Sequence, residues 1–257
     1  MRRVAAVTAV LIAAGLLAPA TSAEAKAAKV TWKVTASVNT SKIVAGEGKV
    51  VVRGRVKPSA AGQKVVLEQR LEKQKRWAKS GTTRVKKNGS YKVTDNPEEG
   101  GVREYRVAKP GTDGRAKGYS KTMEVTVYAW QDLTTSFTGP RTEAIVTLAT
   151  IGTMDYSSSI VQSTPGTPGY AEFTIGRLCT SLEATYALTD TSETGSTGGV
   201  QVVADGATRY SALLGVGTIT DPAIDLTNVY RLRFNLDSSL TPKGFAAVGT
   251  PRVLCAK

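Results

Sequence analysis

Alternation of apolar and polar residues is the feature that most restricts what this chain can fold into. In the segment VTWKVTASV, at positions 30–38, apolar residues occupy every second place and polar residues fall between them. The same period of two recurs in KVVVRGRV, QKVVLEQRL, TMEVTVY and YRLRFNL. Because successive side chains of a strand point to opposite faces, this pattern predicts half-buried β-strands. No stretch of the sequence has a sustained helical period, so the predicted fold class is all-β.

Turn-forming residues separate these strands at short intervals. Segments rich in Gly, Pro, Asn and Ser lie at 45–48, 58–62 and 88–89, and again at 163–169 and 194–199. Short strands at this spacing are typical of β-sandwiches, and about 100 residues of them in the first half indicate the immunoglobulin type. The 257 residues are enough for two domains with separate cores. We therefore predict two β-sandwich domains.

The charge distribution places the boundary between the two domains. Residues 26–130 contain 24 Lys and Arg against 9 Asp and Glu, a net charge of +15. Residues 131–257 contain 8 against 11, a net charge of −3. Such asymmetry indicates two units with different partners. We predict a basic immunoglobulin-like domain at 26–130 and a second sandwich at 131–257.

The first 25 residues have the three-part layout of a secretory signal peptide. Arg2 and Arg3 precede an apolar run at 4–18, and small residues follow it. That run is too short to span a bilayer. We expect cleavage after Ala25, with Ala23 as an alternative, and a secreted, extracellular protein with no membrane insertion of the mature chain. A retained membrane anchor is the other interpretation.

The sequence has two cysteines, Cys179 and Cys255. In an oxidising compartment an isolated pair most simply forms one disulfide, and free buried thiols are the alternative. Two cysteines without any histidine make a poor metal site, so no metal is expected.

Residue types argue against catalysis. The chain contains no histidine, which excludes Ser-His and Cys-His nucleophile pairs. It also lacks a G-x-S-x-G elbow, a P-loop and a dinucleotide fingerprint. We predict that the protein is not an enzyme. A divergent glycosidase, which requires only two carboxylates, is a distant alternative.

A basic run in the first half is a candidate patch for a polyanion. Its members are Lys73, Lys75, Arg76, Lys79, Arg84, Lys86 and Lys87. The simpler interpretation is that these side chains keep a sheet soluble and unpaired. As a binding patch they would attract an anionic polysaccharide or cell-wall polymer. Nucleic acid is not an expected partner, because only Trp77 and Tyr91 could stack on bases there.

The first half contains, in order, G-x-V at 54–56, Pro58, V-x-L at 65–67, Trp77 and G-S-Y at 89–91. This order resembles the bacterial immunoglobulin-like modules that repeat in secreted actinobacterial proteins. In those modules a G-x-V strand and a Pro-Gly turn lead to V-x-L, a Trp and a G-S-Y strand. The resemblance implies a spacer or adhesion unit, and the positive charge adds the expectation of an electrostatic anchor.

Three segments of the second half, in order, are ATIGTMDYSSSI, YAEFTIGRLCTSLEATYALTDTSETGSTGGVQVVADG and AIDLTNVYRLRFNL. Their motifs and order resemble the NPCBM family of secreted carbohydrate-binding modules. The matching positions are Gly152, Tyr156, 173–176, 182–190, 198–206 and 226–236. The resemblance implies a jelly-roll-like sandwich that binds an extracellular or cell-wall glycan without catalysis.

Sugar sites combine an aromatic platform with planar polar groups, which selects eight candidate residues in this half. For stacking they are Tyr156, Tyr170, Tyr210 and Phe245; for hydrogen bonds they are Asp155, Asp190, Asp205 and Arg209. A simpler interpretation makes Asp205-Gly206 a hairpin turn and Asp190 an Asx-turn residue. No cofactor is expected. Ca²⁺ near Asp190 and Glu193 is a weak alternative, because the ligand set is incomplete.

The alternative function is structural. The loops where many members of the family carry G-T-H and D-H-x-x-W segments read SSSIVQSTPGTPG and LTPKGFAAVGTPRVL here. A chain that keeps the core but lacks these groups could serve as a structural or adhesion protein of the cell surface. Its second sandwich would then contact proteins rather than sugar.

Overall fold

A computed structural model describes residues 29–257, and the predicted signal peptide at 1–25 lies outside them. The described chain consists of twenty strands and one four-residue helix, which confirms the all-β fold class. In the first part the strands are β1 Lys33–Val38, β2 Lys42–Val44, β3 Val50–Lys57, β4 Lys64–Leu71, β5 Ala78–Arg84, β6 Ser90–Asp95, β7 Gly101–Lys109, β8 Gly118–Tyr119 and β9 Met123–Asp132. Within residues 29–257, no helix is long and apolar enough to cross a membrane.

The remaining elements follow β9 directly. They are α1 Leu133–Ser136, β10 Arg141–Thr142, β11 Ala144–Ile151, β12 Met154–Gln162, β13 Gly169–Thr174, β14 Cys179–Leu188, β15 Thr197–Ala204, β16 Ala207–Gly215, β17 Ile219–Thr220, β18 Ile224–Asp225, β19 Arg231–Ser238 and β20 Ala246–Cys255.

The first sandwich packs a three-stranded sheet against a larger one. The small sheet has the order β1-β3-β6, and the strands opposite it run β2-β9-β7-β4-β5. All these pairs are antiparallel except β2–β9, which is parallel. The predicted apolar positions face inward: Val50, Val52 and Val56 are buried on β3, and Val65 and Leu67 on β4. Period-two alternation therefore identified the buried faces of β3 and β4.

The second sandwich packs the five-stranded sheet β10-β13-β19-β15-β16 against a sheet built around β11-β12-β20-β14. Its core lies between them and includes Tyr186, Phe234, Leu182, Leu232 and Ile160. The predicted disulfide is confirmed: Cys179 and Cys255 face each other across β14 and β20 and are both buried.

Strand β9 belongs to both sandwiches. Its residues from Met123 to Val127 pair with β7, and its residues from Ala129 to Asp132 pair with the end of β20. Because of this strand, one hydrogen-bonded sheet of twelve strands continues from one sandwich into the other. The boundary predicted from charge, between 130 and 131, falls inside β9.

Candidate functional site

The outer face of the five-stranded sheet presents a row of polar side chains. On β19 the residues Leu232, Phe234 and Leu236 are buried in the core. The alternate residues point the other way, because successive side chains of a strand face opposite sides. These are Arg231, Arg233, Asn235 and Asp237. Strand register adds Tyr170 on β13 and Gln201 on β15 beside Asn235.

Hydrogen bonds fix the centre of this row. Arg233 Nε donates to Asn235 Oδ1 at 2.8 Å, and Asn235 Nδ2 donates to Gln201 Oε1 at 2.9 Å. The guanidinium carbon of Arg233 lies 3.8 Å from the ring centroid of Tyr170. Among the described residues, the Nη groups of Arg233 and Nε2 of Gln201 have no partner within the protein. The arrangement thus leaves planar donors oriented but free.

Three adjoining depressions run along this face and form a trough. The middle one has a volume of about 390 Å³ and is bounded by Tyr170, Gln201, Leu213 and Asn235. One of about 380 Å³ continues toward the turn at Asp205, and one of about 630 Å³ continues toward Ser239. Eight-residue strands extend for about 27 Å, so the trough suits an extended ligand rather than a compact one.

The charged groups along the trough nearly balance. Arg231 Nη1 lies 3.4 Å from Glu172 Oε1 and neutralises it. Arg233 faces the same surface as the carboxylate of Asp237. The wall on β16 is formed by Leu213, whose side chain is 92% exposed and offers an apolar edge.

A tight hairpin closes one end of the trough. Ala204 and Ala207 pair directly, so Asp205 and Gly206 form a two-residue turn with φ of 48° and 83°. Both values lie in the left-handed region that such a turn requires. The carboxylate of Asp205 accepts hydrogen bonds from the backbone N–H groups of Tyr230 and Arg231 at 3.0 and 2.8 Å. The hairpin is therefore attached to the start of β19.

Those backbone hydrogen bonds make the hairpin sensitive to acid. The N–H groups of Tyr230 and then Arg231 hold the pKa of the Asp205 carboxyl below its ordinary value. A lowered pKa in the folded state stabilises the fold above the unfolded value near 3.9, and the gain is lost as pH falls through the folded pKa. We expect Asp205→Asn to melt below the parent at pH 7 and the difference to shrink below about pH 4. Thermal melts across pH 2–7 measure it, and a difference independent of pH would contradict this role.

The structure distributes the eight sugar candidates over several surfaces. Only Tyr170 lies in the middle of the trough, and Asp205 lies at its end. Arg209 lines a separate depression beside β18. Tyr210 faces the core, with its ring centroid 5.1 Å from that of Tyr186 and its hydroxyl bonded to Thr220 Oγ1.

The other four candidates lie on the opposite sheet. Tyr156 and Phe245 pack over the small cluster that contains Ala149 and Ala247. Asp155 accepts a hydrogen bond from Thr150 Oγ1 at 2.9 Å. The carboxylate of Asp190 accepts from the backbone N–H groups of Gly152 and Thr153, both at 2.7 Å. The eight residues therefore do not form one site.

The carboxylates considered for Ca²⁺ also bind backbone groups. Glu193 Oε2 accepts from Lys243 N at 2.8 Å, and both oxygens of Asp190 are used at the β11–β12 turn. Residues 29–257 contain no group of three or more His, Cys, Asp or Glu side chains placed to hold a metal ion.

The basic run lies along β5 and the loops at its two ends. Lys73, Lys75 and Arg76 lie in the β4–β5 loop, Lys79 and Arg84 on β5, and Lys86 and Lys87 in the β5–β6 turn. All seven are exposed. The salt bridges among residues 29–257 involve none of them.

Comparison with known proteins does not assign the chain to a family. No family model and no curated protein matches the chain. Among solved structures, a biofilm-associated protein, BSP domain, matches with 14% sequence identity over 80% of this chain and 28% of that chain, at a TM-score of 0.23. The chain thus spans little more than a quarter of that structure. The resemblance to carbohydrate-binding modules remains an expectation from the sequence.

Proposed function

We propose that this chain is a secreted, non-catalytic carbohydrate-binding protein whose second sandwich holds an extended, uncharged glycan in the trough. The observation that supports this most is the hydrogen-bonded row from Arg233 through Asn235 to Gln201. The buried disulfide fits an oxidising extracellular location. The first sandwich would serve as its spacer.

Sugar chemistry matches the groups along the trough. A pyranose presents neighbouring hydroxyls that both donate and accept, and planar amide and guanidinium groups can bind two of them at once. The free Nη groups of Arg233 and the Nε2 of Gln201 supply donors, and Asp237 supplies acceptors. Leu213 and Tyr170 provide apolar contact for ring C–H groups. Because hydrogen bonds already hold Arg233, Asn235 and Gln201, little of their conformational entropy is lost on binding.

Removing the row should abolish retention on glycan. We expect the double variant Gln201→Ala and Asn235→Ala to bind at least about tenfold more weakly, because it removes amide groups and releases Arg233. The assay is retention on a panel of insoluble cellulose, chitin, xylan and β-glucan, with competition by the soluble oligosaccharides. A glycan array covers sugars outside this panel.

The matched control is Gln74→Ala, which removes an exposed glutamine of the β4–β5 loop. It should bind like the parent. Equal binding by the double variant would contradict the trough as the site. Absence of retention on every polysaccharide and array glycan would favour a structural or adhesion protein, and release of soluble sugar would show catalysis.

A further inference from the structure

The outer face of the small sheet in the first sandwich carries five cations and no acidic residue. On β3 the buried residues Val50, Val52 and Val56 alternate with exposed ones. The exposed cations are Lys33 on β1, Arg53, Arg55 and Lys57 on β3, and Lys92 on β6. The other exposed side chains of these strands are hydroxyl residues, among them Thr35 and Ser37. We call these five residues the cationic face.

None of the five cations is neutralised within residues 29–257. The salt bridges of the first sandwich lie on its other sheet, where Glu104 pairs with Arg70 and Glu68 pairs with Arg106 and Lys117. The one carboxylate on the small sheet, Asp95 at the end of β6, accepts a hydrogen bond from the hydroxyl of Tyr105. The salt bridges of the first sandwich thus lie on its larger sheet, and the cations of the small sheet take part in none.

The register brings like charges directly opposite each other. Lys33 faces Lys57 across β1 and β3, and Arg53 faces Lys92 across β3 and β6. Directly opposite side chains on one sheet face have Cβ atoms about 5 Å apart, and like charges there are destabilising. Two such pairs on a three-stranded sheet cost stability, which indicates that the face has a use other than holding the fold together.

We propose that the cationic face binds a linear acidic polysaccharide. Alternate residues of β3 place Arg53, Arg55 and Lys57 about 7 Å apart in a line. Such a row matches a polymer that carries one anionic group per repeat unit. Lys86 and Lys87 extend the charge at one end, where Ser59 Oγ donates to the Lys87 carbonyl. The inference concerns the first sandwich and does not depend on the glycan trough.

The side chains around the cations favour a polysaccharide over nucleic acid or membrane. Tyr91, the aromatic residue of β6, is buried, and its hydroxyl donates to the carbonyl of Thr35 at 2.6 Å, so it cannot stack on a base. The face has no large exposed apolar side chain to insert among lipids. The face instead carries the hydroxyl groups of Thr35, Ser37, Ser90 and Thr94. The first three donate within the protein, so their oxygens are left to accept from sugar hydroxyls.

The test uses polygalacturonate, a linear acidic polysaccharide, as the probe. The purified full protein should bind it in 50 mM salt, with affinity falling as salt rises. Five contacts at single-strand-like counterion release correspond to a slope of log K against log salt of about −3.5. The triple variant Arg53→Gln, Arg55→Gln, Lys57→Gln should bind at least about tenfold more weakly, with a slope of about −1.4.

Two controls distinguish loss of the cationic face from a change in total charge and from misfolding. The variant Lys42→Gln, Lys121→Gln, Arg141→Gln removes the same charge from exposed positions outside both the cationic face and the basic run, and it should bind within about threefold of the parent. The triple variant of the cationic face removes the like charges that lie opposite each other. It should therefore be at least as stable as the parent, with a melting temperature about 1–4 °C higher.

The remaining outcomes are also decisive. An equal loss in this control variant would overturn the cationic face as the site, as would absence of binding to polygalacturonate. Tighter binding to single-stranded DNA of equal charge would instead assign the face to nucleic acid. Retention on neutral polysaccharide should be the same in the triple variant of the cationic face and in the parent. A wrong assignment of the cationic face can therefore be distinguished from a wrong assignment of the glycan trough.

Discussion

Replacing Cys179 and Cys255 together with alanine should lower the free energy of unfolding of the second sandwich by about 4 kcal/mol. The two residues are 76 positions apart in sequence, and the bond joins β14 to β20. The enclosed segment includes β15, β16 and β19 and therefore most of the five-stranded sheet. Without the bond, the unfolded chain regains the conformational freedom of that loop. Denaturation in urea, followed by circular dichroism at 25 °C, measures the loss.

The control for this prediction is the parent protein under a reducing agent. Reduction should lower the stability of the parent to near that of the double variant and leave the variant unchanged. In thermal melts, the expected loss corresponds to a decrease of roughly 10 °C. A double variant whose free energy of unfolding lies within 1 kcal/mol of the oxidised parent would contradict the loop-closure argument.

Strand faces could be predicted from the sequence, whereas strand partners could not. The alternation in YRLRFNL identified Leu232, Phe234 and Leu236 as core residues, because the period of two is a local property of a strand. Tyr230, the first residue of that segment, is 42% exposed and precedes β19, which begins at Arg231. The sharing of β9 between two sandwiches depends on pairing with β20, more than 100 residues away. No local pattern contains that information.

The eight sugar candidates were selected by residue type, and the same types also stabilise turns. Asp190 and Asp205 use their carboxylates to bind backbone N–H groups, and Tyr210 packs on Tyr186. The residues of the trough were missed although a signal existed. Once alternate positions of β19 are assigned to the core, the positions between them, including Arg233 and Asn235, must face outward.

The cationic face was missed for a different reason. A basic run is visible in sequence only where its members are neighbours, as they are from Lys73 to Lys87. Lys33, Arg55 and Lys92 lie on three strands that are separated in the sequence and become neighbours in the sheet. Arg53, Arg55 and Lys57 alternate along β3, and strand register adds Lys33 and Lys92 from the neighbouring strands.

Gly54→Ala should destabilise the first sandwich by about 3 kcal/mol. Gly54 is the glycine of the G-x-V motif and pairs with Ala36 on one side and Tyr91 on the other. An added Cβ would overlap the carbonyl oxygen of Thr35 and lie 2.5 Å from the hydroxyl oxygen of Tyr91. Either the backbone of β3 moves, or the Tyr91 side chain leaves and its hydrogen bond to Thr35 is lost.

Two further variants separate the crowding from the lost hydrogen bond. Tyr91→Phe keeps the ring but removes the hydroxyl group, so the partly buried carbonyl of Thr35 loses its hydrogen-bond donor. The free energy of unfolding should fall by about 1–2 kcal/mol. Gly114→Ala adds a methyl group where no atom lies within 4 Å and should change stability by less than about 0.5 kcal/mol. Urea denaturation measures the stability of both glycine variants. Equal stability of Gly54→Ala and Gly114→Ala would contradict the view that the close approach of Tyr91 requires a glycine at position 54.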